Sequence, residues 1–167
     1  MGQITESGNN EWYTPYIYAK SAEEVMGLIE LDPASCVDAQ RIINAKKYYT
    51  KEDDGLKYHW SGKVWLNPPY SRGLMNKFIN KLIYDDVREY IVLVNASTDT
   101  EWAHKLFKNS DMVCFTKGRI GFINKDGEKK KGNSRGQMFF YKGTNKNKFT
   151  KEFSCFGIVI DLWVLIF

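Results

Sequence analysis

Cysteine, histidine and proline are scarce in this chain of 167 residues, with counts of three, two and four. Cys36, Cys114 and Cys155 are odd in number and form no Cys-x-x-Cys pair, which argues against a disulfide framework and against a zinc finger. His59 and His104 stand at no metal-ligand spacing with a cysteine or with each other, so no metal is expected in the chemistry. Long apolar runs are also missing. The longest, 156–167, is interrupted by Asp161 and is too short to span a bilayer. Residues 1–6 carry neither a basic nor an apolar targeting region. The expectation is a soluble, cytoplasmic protein without a membrane partner.

Hydrophobic residues at 43% and aromatics at 15% support a packed core and exclude a disordered chain. The length allows one ordinary domain, read as 11–167 after a polar tail over 1–10. The net charge of +4 is unevenly placed: Lys125, Lys129, Lys130, Lys131 and Arg135 cluster among glycines, and further lysines follow to Lys151. A solvated face and a loop that tracks phosphates both fit that stretch.

Along the chain, Ser21 with Glu24 reads as a capping box opening a helix that ends near Gly27 or Leu28. A short strand over 28–31 stops at Asp32-Pro33, and a helix follows through Val37 and Ile43. Lys47 to Thr50 and Val64 to Leu66 are further strands. Leu74, Met75, Phe78, Ile79 and Leu82 fall at helical spacing, and Tyr90 to Val94 is the clearest strand. A helix with Trp102 and Leu106 leads into a strand over 112–115. From there, 119–124, 137–141 and 156–160 read as strands separated by turn-rich or basic segments. Alternating strands and helices followed by strands alone describe an α/β sheet, mostly parallel, with an antiparallel edge.

Asn67-Pro68-Pro69-Tyr70, directly after Val64-Trp65-Leu66, carries the most chemistry. Two prolines fix φ near −65° and donate no N–H, so the backbone turns sharply with its carbonyls free to accept. An exocyclic amine offers two hydrogens: one suits the Asn67 side-chain oxygen and the other a carbonyl of the proline corner. Held so, the nitrogen lone pair leaves conjugation and becomes nucleophilic, with Tyr70 stacking on the base. A plain proline turn between strand and helix explains the bare tetrapeptide equally well. Two other segments, Asp32-Pro33-Ala34-Ser35 and Asp53-Asp54-Gly55, also lie at strand ends, where open α/β sheets bind ligands. Singly, each acid is an ordinary cap or turn residue.

Taken together with 11–15, Tyr48-Tyr49-Thr50, Thr98-Asp99-Thr100, Gly118-Arg119-Ile120 and Gly136-Gln137, these segments resemble the phage and prophage DNA N-6-adenine methyltransferases, the Dam-like group, along nearly the whole chain. The resemblance implies a Rossmann-like S-adenosylmethionine-dependent methyltransferase fold with a last, antiparallel strand inserted near the sheet edge. It implies methylation of a flipped-out adenine in double-stranded DNA. By the same likeness Trp12, Tyr13 and Thr14 border the cofactor, Asp32, Ala34 and Ser35 line its pocket with Asn67, and Asp54 approaches the adenosine. Asn67, Pro68, Pro69 and Tyr70 are then catalytic. Arg119, Lys129, Lys130, Lys131, Asn133, Arg135 and Gln137 are the candidates for contact with the nucleic acid. For a phage-encoded protein the location implied is the bacterial host's cytoplasm. Many methyltransferases carry a glycine-rich turn after the first strand, whereas this chain has Asp32-Pro33-Ala34-Ser35-Cys36. Other planar amines remain open as acceptors: cytosine N4, guanine in ribosomal RNA, or a protein glutamine. So does a non-catalytic nucleic-acid-binding domain.

Overall fold

The computed structural model describes residues 13–71, 73–123, 128 and 135–165. Among the described residues, five α-helices and seven strands follow in the order α1 (Tyr16–Met26), β1 (Leu31–Asp32), α2 (Val37–Ile43), β2 (Lys47–Tyr48), β3 (Ser61–Leu66), α3 (Leu74–Tyr84), β4 (Asp86–Asn95), α4 (Glu101–Asn109), β5 (Met112–Thr116), β6 (Gln137–Lys142), α5 (Lys146–Phe153) and β7 (Gly157–Asp161). The strands form one mixed sheet in the order β2-β1-β3-β4-β6-β5-β7. β1 to β4 pair in parallel, while β6 runs antiparallel to both β4 and β5, and β7 antiparallel to β5. Thus β1 to β5 share one direction and only β6 and β7 oppose it. The inserted antiparallel strand is β6, and the final strand β7 forms the edge itself.

Side chains alternate across β4, so its apolar run feeds two layers. Tyr90, Val92 and Val94 face a core with Phe78, Ile79 and Leu82 of α3 and Leu106 of α4. Ile91 and Leu93 face a second core with Ala22 and Val25 of α1 and Phe149 and Phe153 of α5. The sheet is therefore covered on both sides, with its strand ends left as the place for a cleft.

Three local expectations are corrected. Helix α1 begins at Tyr16 behind Pro15, five residues before Ser21, which is buried within it. Proline at a helix start loses no bond, since the first N–H groups have no partner inside the helix, and this overrides the capping-box pattern. Helix α5 occupies a lysine-rich stretch read as a turn-rich or basic connection; Phe149 and Phe153, four apart, bury one face and stack at 4.3 Å between ring centroids. Residues 119–123 form no strand beyond one bridge between Tyr13 and Ile123. At the other end Leu162 enters the core, and exposed Trp163 donates its indole N–H to Asp111 Oδ1 at 2.7 Å.

Among the described residues no helix is long and apolar enough to cross a membrane, and no group of three or more His, Cys, Asp or Glu could hold a metal ion.

Candidate active site

A cleft of about 990 Å³ opens at the carboxyl ends of the parallel strands. That volume is at the upper end for small-molecule pockets, enough for a cofactor together with part of a second ligand. Tyr13, Thr14, Asp32, Ala34, Ser35, Asp54, Asn67, Pro68, Pro69, Tyr70 and Arg135 all line it. Residues spread over more than a hundred positions of sequence thus share one wall. The topology requires it: β1, β2, β3 and β4 run the same way, so the segments following them emerge side by side.

At the corner after β3, Pro68 is buried while Pro69 and Tyr70 are exposed. The Tyr70 hydroxyl turns inward, 3.3 Å from the Leu93 carbonyl and 3.4 Å from Asn67 Oδ1. Its ring stays open, with the residue 43% exposed. Burial of the hydroxyl end pushes the phenol well up, so it remains a protonated donor at neutral pH. Asn67 Nδ2 donates to Thr14 Oγ1 at 3.4 Å, which orients the amide with Oδ1 on the Tyr70 side. Both of these bonds are long and leave Oδ1 with capacity for a further donor.

At the other end, Asp32 closes β1 and is 3% exposed. Burial raises its carboxyl from the ordinary value to about 6, against the opposing pull of hydrogen bonds from Ser35, Ala34 and Gln40. The described groups that favour its charge are these neutral donors. The loops carrying Asp32 and Asp54 touch directly: a Cβ on Gly55 would fall 2.1 Å from the Pro33 carbonyl, so only glycine fits there. Trp60 secures the same point, donating its indole N–H to the Gly55 carbonyl at 2.8 Å. Asp53 caps its own turn through Thr50, leaving Asp54 as the acid on the cleft, in a left-handed conformation at φ 58°.

The proposed nucleic-acid residues divide. Arg135 lines the cleft. Arg119 is exposed but stands outside the cleft lining. Gln137 is buried; its Oε1 accepts from Ile120 N at 2.9 Å and its Nε2 donates to the Arg135 carbonyl at 2.7 Å. It joins the two ends of the basic segment and cannot itself reach a base edge. Trp12, Lys129, Lys130, Lys131 and Asn133 lie outside the described residues. Tyr13 and Ile123 exchange backbone bonds at 2.7 and 3.0 Å, which ties the cleft wall to the start of that basic segment.

Sequence reasoning missed Gln40 beside Asp32 and Asn95 on the cleft lining. Asn95 had a signal, a polar residue ending the apolar run of β4; Gln40 had none.

A mixed α/β sheet whose parallel strands bring a buried acid, an amide and a proline corner to one cleft defines a class of protein that binds a ligand at its strand ends. The family model described as DNA N-6-adenine-methyltransferase (Dam) matches residues 2–157, and the chain belongs to that family. It is 27% identical over 150 residues to a DNA N-6-adenine-methyltransferase of Escherichia phage T1, an alignment covering 77% of this chain. The chain spans 60% of that relative's length. No solved structure matches it.

Proposed function

We propose that this chain methylates the exocyclic amine of adenine in double-stranded DNA, using S-adenosylmethionine, on a Rossmann-like methyltransferase fold. The observation that carries the reading is the single cleft joining the Asn67–Tyr70 corner to the buried Asp32 carboxylate. Strands β1 to β5 in one direction, with an antiparallel strand inserted between β4 and β5, agree with that fold.

The residues fit the cofactor. Asp32 is a buried carboxylate held by neutral donors from Ser35, Ala34 and Gln40, and a ligand ammonium is a partner that favours its charged form. Asp54 offers an acceptor to ribose hydroxyls from the adjacent loop. When bound, S-adenosylmethionine supplies an electrophilic methyl group.

The chain's own part is to present the amine. Adenine's amino nitrogen is a weak nucleophile because its lone pair is delocalised into the ring. Asn67 Oδ1 takes one amine hydrogen and a carbonyl of the Pro68-Pro69 corner takes the other, localising the lone pair and stabilising positive charge as it develops. No strong base is required of the cleft. Within a duplex the amine is paired, so the base must be extruded, and the open ring of Tyr70 is its stacking surface. Holding the amine in place contributes effective concentration, ~7–11 kcal/mol in favourable cases.

The test is transfer of labelled methyl from S-adenosylmethionine into duplex DNA, RNA and protein offered in parallel, followed by identification of the modified group. N6-methyladenine in DNA is the expected product. Label on cytosine, RNA or protein would overturn the substrate, and no cofactor binding would overturn the enzyme reading altogether.

A further inference from the structure

Gln40 uses every hydrogen-bonding group of its amide on one spot. Nε2 donates to Asp32 Oδ2 at 2.8 Å and to Ser35 Oγ at 2.7 Å, while Oε1 accepts from Ala45 N at 2.9 Å. The arrangement has one orientation. A flipped amide would set its oxygen against the carboxylate and its NH2 against a backbone N–H. Closing the end of α2 needs only the Oε1 bond to Ala45. The two donors serve something else, and both end on residues of the cleft wall.

We propose that Gln40 is a positioning residue of the cofactor end of the cleft, holding the Asp32 carboxylate and the Ser35 hydroxyl in register for a ligand that carries a cationic amine. This rests on the cofactor reading above. Gln40 touches no ligand and acts through the two side chains it fixes. Its bond also favours the charged form of Asp32, in opposition to burial. The other titratable groups on the cleft are Cys36 at the start of α2, Lys51 and Asp54 after β2, Tyr70 after β3, and Tyr13 and Arg135. The groups that set the Asp32 shift are its own burial and the donors of Ser35, Ala34 and Gln40.

Removing the donors has two readable consequences. The carboxylate is freer to turn, so cofactor affinity falls. It also takes up a proton at higher pH, so the pH at which binding fails on acidification moves upward. The experiment is calorimetric titration of the full chain with S-adenosylmethionine from about pH 5 to about pH 9. Gln40→Leu removes all three bonds. Gln40→Glu keeps volume and the acceptor for Ala45 N but sets a carboxylate against Asp32. For both, affinity near neutrality is expected to fall at least ~10-fold, with the binding midpoint displaced to higher pH, further for Gln40→Glu. Turnover at saturating cofactor should stay within about twofold.

Gln40→Glu with the wild-type affinity and pH profile would overturn the proposal, even if Gln40→Leu fails to fold. Asp32→Asn is the discriminating control. Loss of binding in Asp32→Asn with none in Gln40→Glu removes Gln40 alone from the scheme. Wild-type protein that does not bind, or Asp32→Asn that binds normally, removes the cofactor reading and this inference with it.

Discussion

The Tyr70 hydroxyl is anchored inward on the Leu93 carbonyl at 3.3 Å, which leaves its ring facing out of the cleft wall. A side chain held by its tip and open on its face suits the stacking role proposed for it, and ring and hydroxyl separate by mutation. Tyr70→Phe keeps the ring and loses one neutral hydrogen bond, so kcat/KM for DNA methylation should fall by no more than ~10-fold. Tyr70→Ala removes the stacking surface, worth about 1–3 kcal/mol, and should cost roughly 5- to 150-fold. Equal losses in the two variants would mean that the hydroxyl, not the ring, matters.

Asp32 makes a trade between stability and function visible. Its carboxyl holds a proton up to about 6 in the folded chain, against an ordinary value of 3.8. The folded state therefore binds that proton more tightly than the unfolded chain. The stabilisation is complete below the ordinary value and lost as pH rises through about 6. At pH ~7 the ligand-free protein carries the full cost of a buried charge, on the order of 3 kcal/mol. Asp32→Asn should accordingly raise the urea midpoint near neutrality and lose that advantage near pH ~4. The same variant should lose cofactor affinity. A midpoint that drops near neutrality would contradict this account of the carboxylate.

Far from the cleft, Tyr141 donates to buried Glu89 at 2.6 Å and accepts from Asn145 N at 2.9 Å, joining β6, β4 and the start of α5. Lys63 lies 3.4 Å from the other Glu89 oxygen. Tyr141→Phe strands part of this buried network and should cost about 1–3 kcal/mol in denaturant unfolding. Cofactor affinity should be unchanged. A change in affinity would place this network in communication with the cleft.

The parts legible from sequence were those whose signal is local. The run Tyr90–Val94 announces a strand buried on both faces, and a proline pair behind an apolar run announces a corner. Asp32, Asp54 and Asn67 were legible as a group because Asp32 closes β1, Asn67 follows β3 and Asp54 lies in the loop after β2, and these parallel strands deliver their ends to one side. What misled was local as well. Ser21 and Glu24 imitate a cap, but Ala19 extends the apolar face toward Pro15, and burial of that face decides where the helix starts. Helix α5 hid behind its lysines because two phenylalanines carry the whole of its packing. Gln40 was invisible for a different reason. Its importance depends on a hydrogen bond to a residue eight positions away, across a strand-to-helix turn that only the fold closes.

Asn67 stands where the chemistry is assigned, and its replacement leaves Asp32 and Asp54 in place at the other end of the cleft. The most direct measurement is mass analysis of nucleosides from the DNA of cells producing either the wild-type chain or Asn67→Ala at equal levels. N6-methyladenine should accumulate with the wild type and form ~100- to 1,000-fold more slowly with Asn67→Ala. Methylcytosine in its place, or N6-methyladenine undiminished by the substitution, would contradict the role given to the corner at residues 67–70.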